Sequence, residues 1–136
     1  MSIYLVEINT ESKTSKVIEK DNLSKEYLCE EICNYFGFES LKHLNSEKSS
    51  KEGLHVMARQ FISYFLTTEL RLPHKEIQST LDCKSITNIS YNIRVIQKKL
   101  LKNTNSNHKV LIIDPYIRSY NNILKIISKF NIKNNE

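Results

Sequence analysis

The chain is 136 residues long, 40% hydrophobic, with 20 Lys and Arg against 15 Asp and Glu. That size suits one ordinary domain rather than two, and no apolar run approaches the roughly 18 residues needed to span a bilayer, which excludes a membrane-embedded chain. The charge is uneven: residues 1–40 hold four Lys and eight acids, net −4, while the remaining 96 hold 16 Lys and Arg and seven acids, net +9. A basic portion of this kind points to a polyanion partner; the Lys-, Asn- and Ile-rich usage of an AT-rich genome would give the same excess without one.

In chain order, residues 2–9 (SIYLVEIN) and 14–20 (TSKVIEK) are rich in β-branched and aromatic side chains and flank a polar cluster, so a short β-hairpin is expected within an N-terminal extension, residues 1–21. Asn22 to Ser24 supply cap material for a helix running to about Phe36, stopped by Gly37. Its apolar stripe is Leu28, Cys29, Ile32, Cys33 and Phe36. Cys29 and Cys33, four apart, would sit side by side on that helix. With Cys83 they make an odd number and find no further ligands at zinc spacing, so core packing is expected, with neither a metal nor a disulfide. One or two helical turns over Phe38–Leu44 precede the polar segment NSEKSSKEG, Asn45 to Gly53. That segment reads as a solvated loop, either a backbone-following or minor-groove element through Lys48 and Lys51, or a linker without contacts.

From Leu54 the pattern Leu54, Met57, Ala58, Phe61, Tyr64, Phe65 and Thr68 predicts a long central helix, with Arg59 and Gln60 off the stripe and free to reach outward. Pro73 fits the first turn of a short helix ending near Leu81, with Ile77 and Leu81 inward. Asp82-Cys83-Lys84 forms a turn, and Ser85 caps the next helix, residues 85–102. There Ile86, Ile89, Ile93, Ile96 and Leu100 follow a 3-4-3-4 spacing, a single stripe that must be buried. Opposite lie Lys84, Thr87, Asn88, Tyr91, Arg94 and Lys98, a face of cations, hydrogen-bonding groups and one aromatic ring without an acid. Such a face suits a phosphate-lined groove floored by base edges. The order helix, turn, helix is that of a helix-turn-helix. Further on, Lys109–Ile113 leaves strand and helix undecided, whereas Asp114-Pro115 marks the start of a final helix with Ile117, Tyr120, Leu124 and Ile127 on its core face. The expected fold is mainly α: a helix-turn-helix bundle of five to six helices over residues 22–130, with a frayed tail over 131–136.

The stretch from Ile32 to Ile127 resembles the C-terminal DNA-binding domain, domain IV, of the bacterial replication initiator DnaA, a Trp-repressor-like helix-turn-helix. The parts match in order: a first helix ending NYFGF, a short LxxL turn, a basic loop, a long helix opening Ala-Arg-Gln, a Glu-Ile helix, then KSITNISYNIRVI and a final helix. The resemblance implies that the basic loop reaches the minor groove near Lys51, that Arg59 and Gln60 hold phosphates, and that the helix after Lys84 reads the major groove. The family's Gly-Gly before that basic residue is Asp82-Cys83 here. Its Asp-His-Thr-Thr signature reads Ser85-Ile86-Thr87-Asn88, so only Thr87 is retained and an altered or relaxed sequence preference is expected. Asn88 suits a bidentate contact to adenine and Thr87 a thymine methyl. The Gly-rich ATPase phosphate loop of the initiator is absent from this sequence.

The expected partner is therefore double-stranded DNA, in replication or transcription control, in the cytoplasm and associated with the nucleoid. Expected DNA contacts are Lys48, Lys51, Arg59, Gln60, His74, Lys75, Lys84, Ser85, Thr87, Asn88, Tyr91, Arg94 and Lys98, with no cofactor. An enzyme is not expected: His43, His55, His74 and His108 are scattered and form no catalytic pattern. Glu30-Glu31 reads as a solvated helix face. The alternative is a protein-interaction module on the same scaffold, for which Ile86 at a former reading position, Val95 and the acidic first 40 residues argue.

Overall fold

The computed structural model describes residues 23–48, 50–105 and 114–135, and these form six helices and no strand: α1 (Lys25–Tyr35), α2 (Leu41–Ser46), α3 (Gly53–Leu70), α4 (His74–Leu81), α5 (Ile86–Asn105) and α6 (Pro115–Asn135). The expected N-terminal hairpin and the ambiguous segment 109–113 lie outside the described residues. A mainly α bundle is what the helical periodicity predicts. The last helix continues through Asn135, beyond the expected end at 130.

Local chemistry sets most helix ends. Ser24 Oγ accepts from the Tyr27 N–H at 3.0 Å, capping α1. At its other end Gly37 takes φ +93°, so that the Gly37 N–H donates to Asn34 O (3.0 Å) and the Phe38 N–H to Cys33 O (2.8 Å), satisfying two carbonyls that the helix leaves open. Asp114 Oδ1 accepts from the Tyr116 N–H at 2.7 Å, with Pro115 first in α6, as the Asp-Pro pair predicts. Glu30 is not simply solvated: its Oε2 accepts from the Leu41 N–H at 3.2 Å, at the start of α2. Pro73 takes the cap position just before α4 rather than its first turn, with φ −67° and ψ 151°.

The middle of the bundle is α3, which packs most extensively on α5 and also on α1 and α4; α6 closes the bundle against α5 and α1. One continuous core runs through Leu28, Ile32, Phe61, Phe65, Ile77, Leu81, Ile89, Ile96 and Ile123. Cys29 and Cys33 lie wholly within it, and burial pushes each thiol up to about 12, the charge of Cys33 adding to the rise at Cys29. They are apolar filling, as their position on the stripe predicts. No group of three or more metal-ligating side chains occurs among the described residues.

Two expected faces need correction. Ile86 is 43% exposed and lies outside the core cluster; the buried stripe of α5 begins one turn later, at Ile89. Leu54, 55% exposed, and Thr68 do not share the buried side of α3, while Gln60, Ile62, Ser63 and Leu66 do. A helix contacted by α1, α4 and α5 buries more than one stripe, so the single-face reading of α3 is too narrow.

Candidate nucleic-acid interface

The turn between α4 and α5 is tight because Asp82 adopts the left-handed conformation (φ 54°, ψ 43°), allowing the Cys83 N–H to donate to Gln78 O at 3.0 Å. Asp, like Asn and Gly, visits this region more readily than other residues. Gln78 Nε2 also donates to Cys83 O at 3.2 Å, tying the turn back onto α4. Lys84 and Ser85 lead from this turn into α5.

Along α5 the sequence pattern separates two sides. Ile89, Ile93 and Ile96 are buried, whereas Thr87, Asn88, Tyr91, Arg94 and Lys98 are exposed, Tyr91 at 57%. Val95 is half-buried rather than outward. Among the described residues Lys84, Thr87, Asn88, Arg94 and Lys98 make no ion pair or side-chain hydrogen bond. The helix is fixed on α3 from its inner side: Asn92 Nδ2 donates to Ser63 Oγ at 3.2 Å, and Ser63 in turn donates to Arg59 O at 2.9 Å.

Beside this face opens a cleft of about 580 Å³ lined by Lys48, Lys51, Arg59, Lys84, Asn88 and Tyr91, together with Asp82 and Cys83 of the turn. Residues from the loop before α3, from α3, from the turn and from α5 thus converge, as their assignment to one site requires. The loop that supplies Lys48 and Lys51 is not a linker without contacts. Asn45 Nδ2 donates to Thr80 O at 2.9 Å, Lys48 Nζ stands 2.6 Å from Asp82 Oδ2, and Arg59 Nη2 donates to Ser50 O at 2.7 Å. Glu47 Oε1 receives His55 Nε2 at 2.5 Å, and this contact holds the Glu47 carboxyl below its ordinary range.

Arg59 is half-buried, and its Nη1 is buried without a hydrogen-bond partner among the described residues. Burial lowers its pKa, opposed by Cys83, but guanidinium stays charged at any physiological pH. Burial likewise raises the Cys83 thiol, against the pull of Arg59, so it stays protonated near neutrality. Arg59 lines the cleft and adds its positive charge to that of the lysines there, while its Nη2 is held by the Ser50 carbonyl.

Gln60 does not belong to this surface. It is 4% exposed, on the far side of α3 from the expectation, and accepts from the Tyr116 hydroxyl at 2.6 Å. His74 is half-buried with Nδ1 3.4 Å from Ser90 Oγ, and Lys75 is exposed; neither lines the cleft. Ser85 is half-buried, and the Asn88 N–H donates to its carbonyl at 3.3 Å.

No protein-family model, curated protein or solved structure matches the chain. Asp82, Ser50 and Asn92 enter the site only through the structure. An acid in the turn is visible in the sequence, but its pairing with Lys48, 34 residues away, is not. No helix among the described residues is long and apolar enough to cross a membrane.

Proposed function

We propose that this chain binds double-stranded DNA, with α5 in the major groove and the cleft beside it against the sugar-phosphate backbone. The observation that carries the reading is the convergence on one side of the bundle of an exposed, acid-free helix face with Lys51, Arg59 and Lys84 around a single cleft. In a helix-turn-helix the N-terminal residues of the second helix meet base edges. Thr87 and Asn88 hold that position: Asn88 offers a bidentate donor and acceptor pair to adenine, and Thr87 a methyl and a hydroxyl. Arg94 and Lys98, about two and three turns further along, suit phosphates. The resemblance to the initiator's domain IV supports the same docking, without the Asp and His of its reading signature and without a phosphate role for Gln60. A place in replication or transcription control, in association with the nucleoid, belongs to this proposal.

Titration of labelled random-sequence and initiator-box duplexes at several salt concentrations tests it. Binding whose logarithm falls linearly with log salt, by about 0.9 per phosphate contact, is expected, with Arg59→Ala/Lys84→Ala weakening both duplexes alike and Asn88→Ala narrowing the difference between them. Unchanged affinity in the double variant would refute the docking.

One observation favours a second reading, a protein-interaction module. Ile86 and Tyr91 expose apolar surface near the start of α5, 43% and 57% respectively. A salt-insensitive complex with a protein, and no retention on DNA resin, is the result that reading requires.

A further inference from the structure

Asp82 is the one carboxylate among the described residues that line the cleft, where Lys48, Lys51, Arg59 and Lys84 supply positive charge. Its backbone conformation, φ 54° and ψ 43°, favours Gly, Asn or Asp. Gly or Asn would satisfy it without charge, so the turn's geometry does not explain the acid. The carboxylate does make one contact, with Lys48 Nζ at 2.6 Å.

The loop has anchors besides that ion pair. Asn45 Nδ2 on Thr80 O and Arg59 Nη2 on Ser50 O anchor the chain on either side of Lys48. The side chains of Lys48 and Asp82 are 47% and 64% exposed, so water reaches the pair and the lysine can exchange one oxyanion for another. A carboxylate oxygen at 2.6 Å from an ammonium occupies the position that a phosphate oxygen takes in a charge-assisted contact.

We propose that Asp82 is an internal stand-in for a DNA phosphate: its carboxylate holds Lys48 in the unbound protein and yields it to the backbone of a bound duplex. The inference rests on the DNA-binding reading and describes how that surface is held in check. Lys48 contributes only where a phosphate is seated well enough to win the exchange. Asp82, once released, faces the duplex as a repelling charge. Both effects lower affinity for backbones that do not fit, so that Asp82 sharpens selection at the cost of strength.

The test is a double-mutant cycle with Asp82→Asn and Lys48→Gln in the full chain, read as duplex affinity by fluorescence anisotropy across a salt series. Asn keeps the left-handed turn accessible, and thermal unfolding of each variant checks that the fold is retained. Lys48→Gln alone is expected to reduce the salt slope by about 0.9, the loss of one phosphate contact. Asp82→Asn is expected to tighten binding roughly two- to five-fold when Lys48 is present, the range of an exposed ion pair, and by clearly less when position 48 is Gln. A salt slope unchanged by Lys48→Gln would mean that the lysine never leaves Asp82. An equal gain from Asp82→Asn in both backgrounds would mean that Asp82 acts by repulsion alone. Either result overturns the stand-in while leaving DNA binding intact. Absence of duplex binding by both the wild-type protein and Asp82→Asn would overturn the stand-in and the DNA-binding reading together.

Discussion

Lys84, Arg94 and Lys98 stand along the turn and outer side of α5 with no ion pair to another described residue, whereas Lys48 and Arg59, across the cleft, are engaged by Asp82 and the Ser50 carbonyl. Each of these cations carries the same formal charge, but its availability differs. A cation without a partner adds its full counterion-release contribution when a polyanion arrives. One that already holds a partner contributes only the difference between two contacts. The net charge of +5 therefore says less about affinity than the count of cations that begin unpaired.

The largest expected effect separates the two sides of α5. Ile89→Ala, at a fully buried position, should cost about 2–5 kcal/mol in denaturant unfolding. Its exposed neighbour Asn88→Ala should stay within about 0.5 kcal/mol while blunting discrimination between duplexes. Comparable losses of stability would break the division of the helix into a packing side and a reading side. Next comes Gln60→Ala, which leaves the Tyr116 hydroxyl without its acceptor. It should destabilise by about 1–3 kcal/mol and leave duplex affinity unchanged, because Gln60 lies in the core. A selective loss of affinity would return Gln60 to the interface.

Arg94→Ala with Lys98→Ala should lower the salt slope by roughly two, about 0.9 for each phosphate lost, with little change in unfolding midpoint. This pair sharpens the contrast with Lys48, whose removal costs one contact only if exchange occurs. The smallest effect concerns Asp114, a carboxylate whose pairing stabilises the fold rather than masking a binding group. Burial acts to raise its pKa, but the Tyr116 N–H and Lys99, at 3.2 Å, outweigh it and the net direction is down. A lowered carboxylate pKa favours the folded state above the ordinary aspartate value of 3.8, and that contribution is lost as the pH falls below it. The unfolding midpoints of the wild-type protein and Asp114→Asn should therefore differ at neutral pH and converge in acid.

Features set by neighbours in sequence were legible before the structure. The Ile89–Ile93–Ile96 stripe, the Gly37 stop and the Asp114-Pro115 start each depend on contacts within a few residues. The outward side of α5 follows from the stripe, since a helix buried on one side must show the other. Gln60 was misread because α3 is packed by α1, α4 and α5 together, and a helix enclosed on several sides takes polar groups inward when a partner such as Tyr116, 56 residues away, is waiting. Ile86 was misread because periodicity fixes direction around the helix but not where along it the neighbouring helices end. The tethering of the loop through Asn45, Lys48 and Ser50 depends on Thr80, Asp82 and Arg59, none of them local in sequence to all three. No pattern of polar residues in NSEKSSKEG announces it.

The most direct test of the central claim is backbone amide NMR of the ¹⁵N-labelled chain titrated with a short duplex. Shifts concentrated at Lys84, Thr87, Asn88, Tyr91, Arg94 and Lys51, with the exposed side of α6 around Lys125 and Lys129 unmoved, are the predicted result. Shifts centred on α6 or α1, with α5 unchanged, would contradict it.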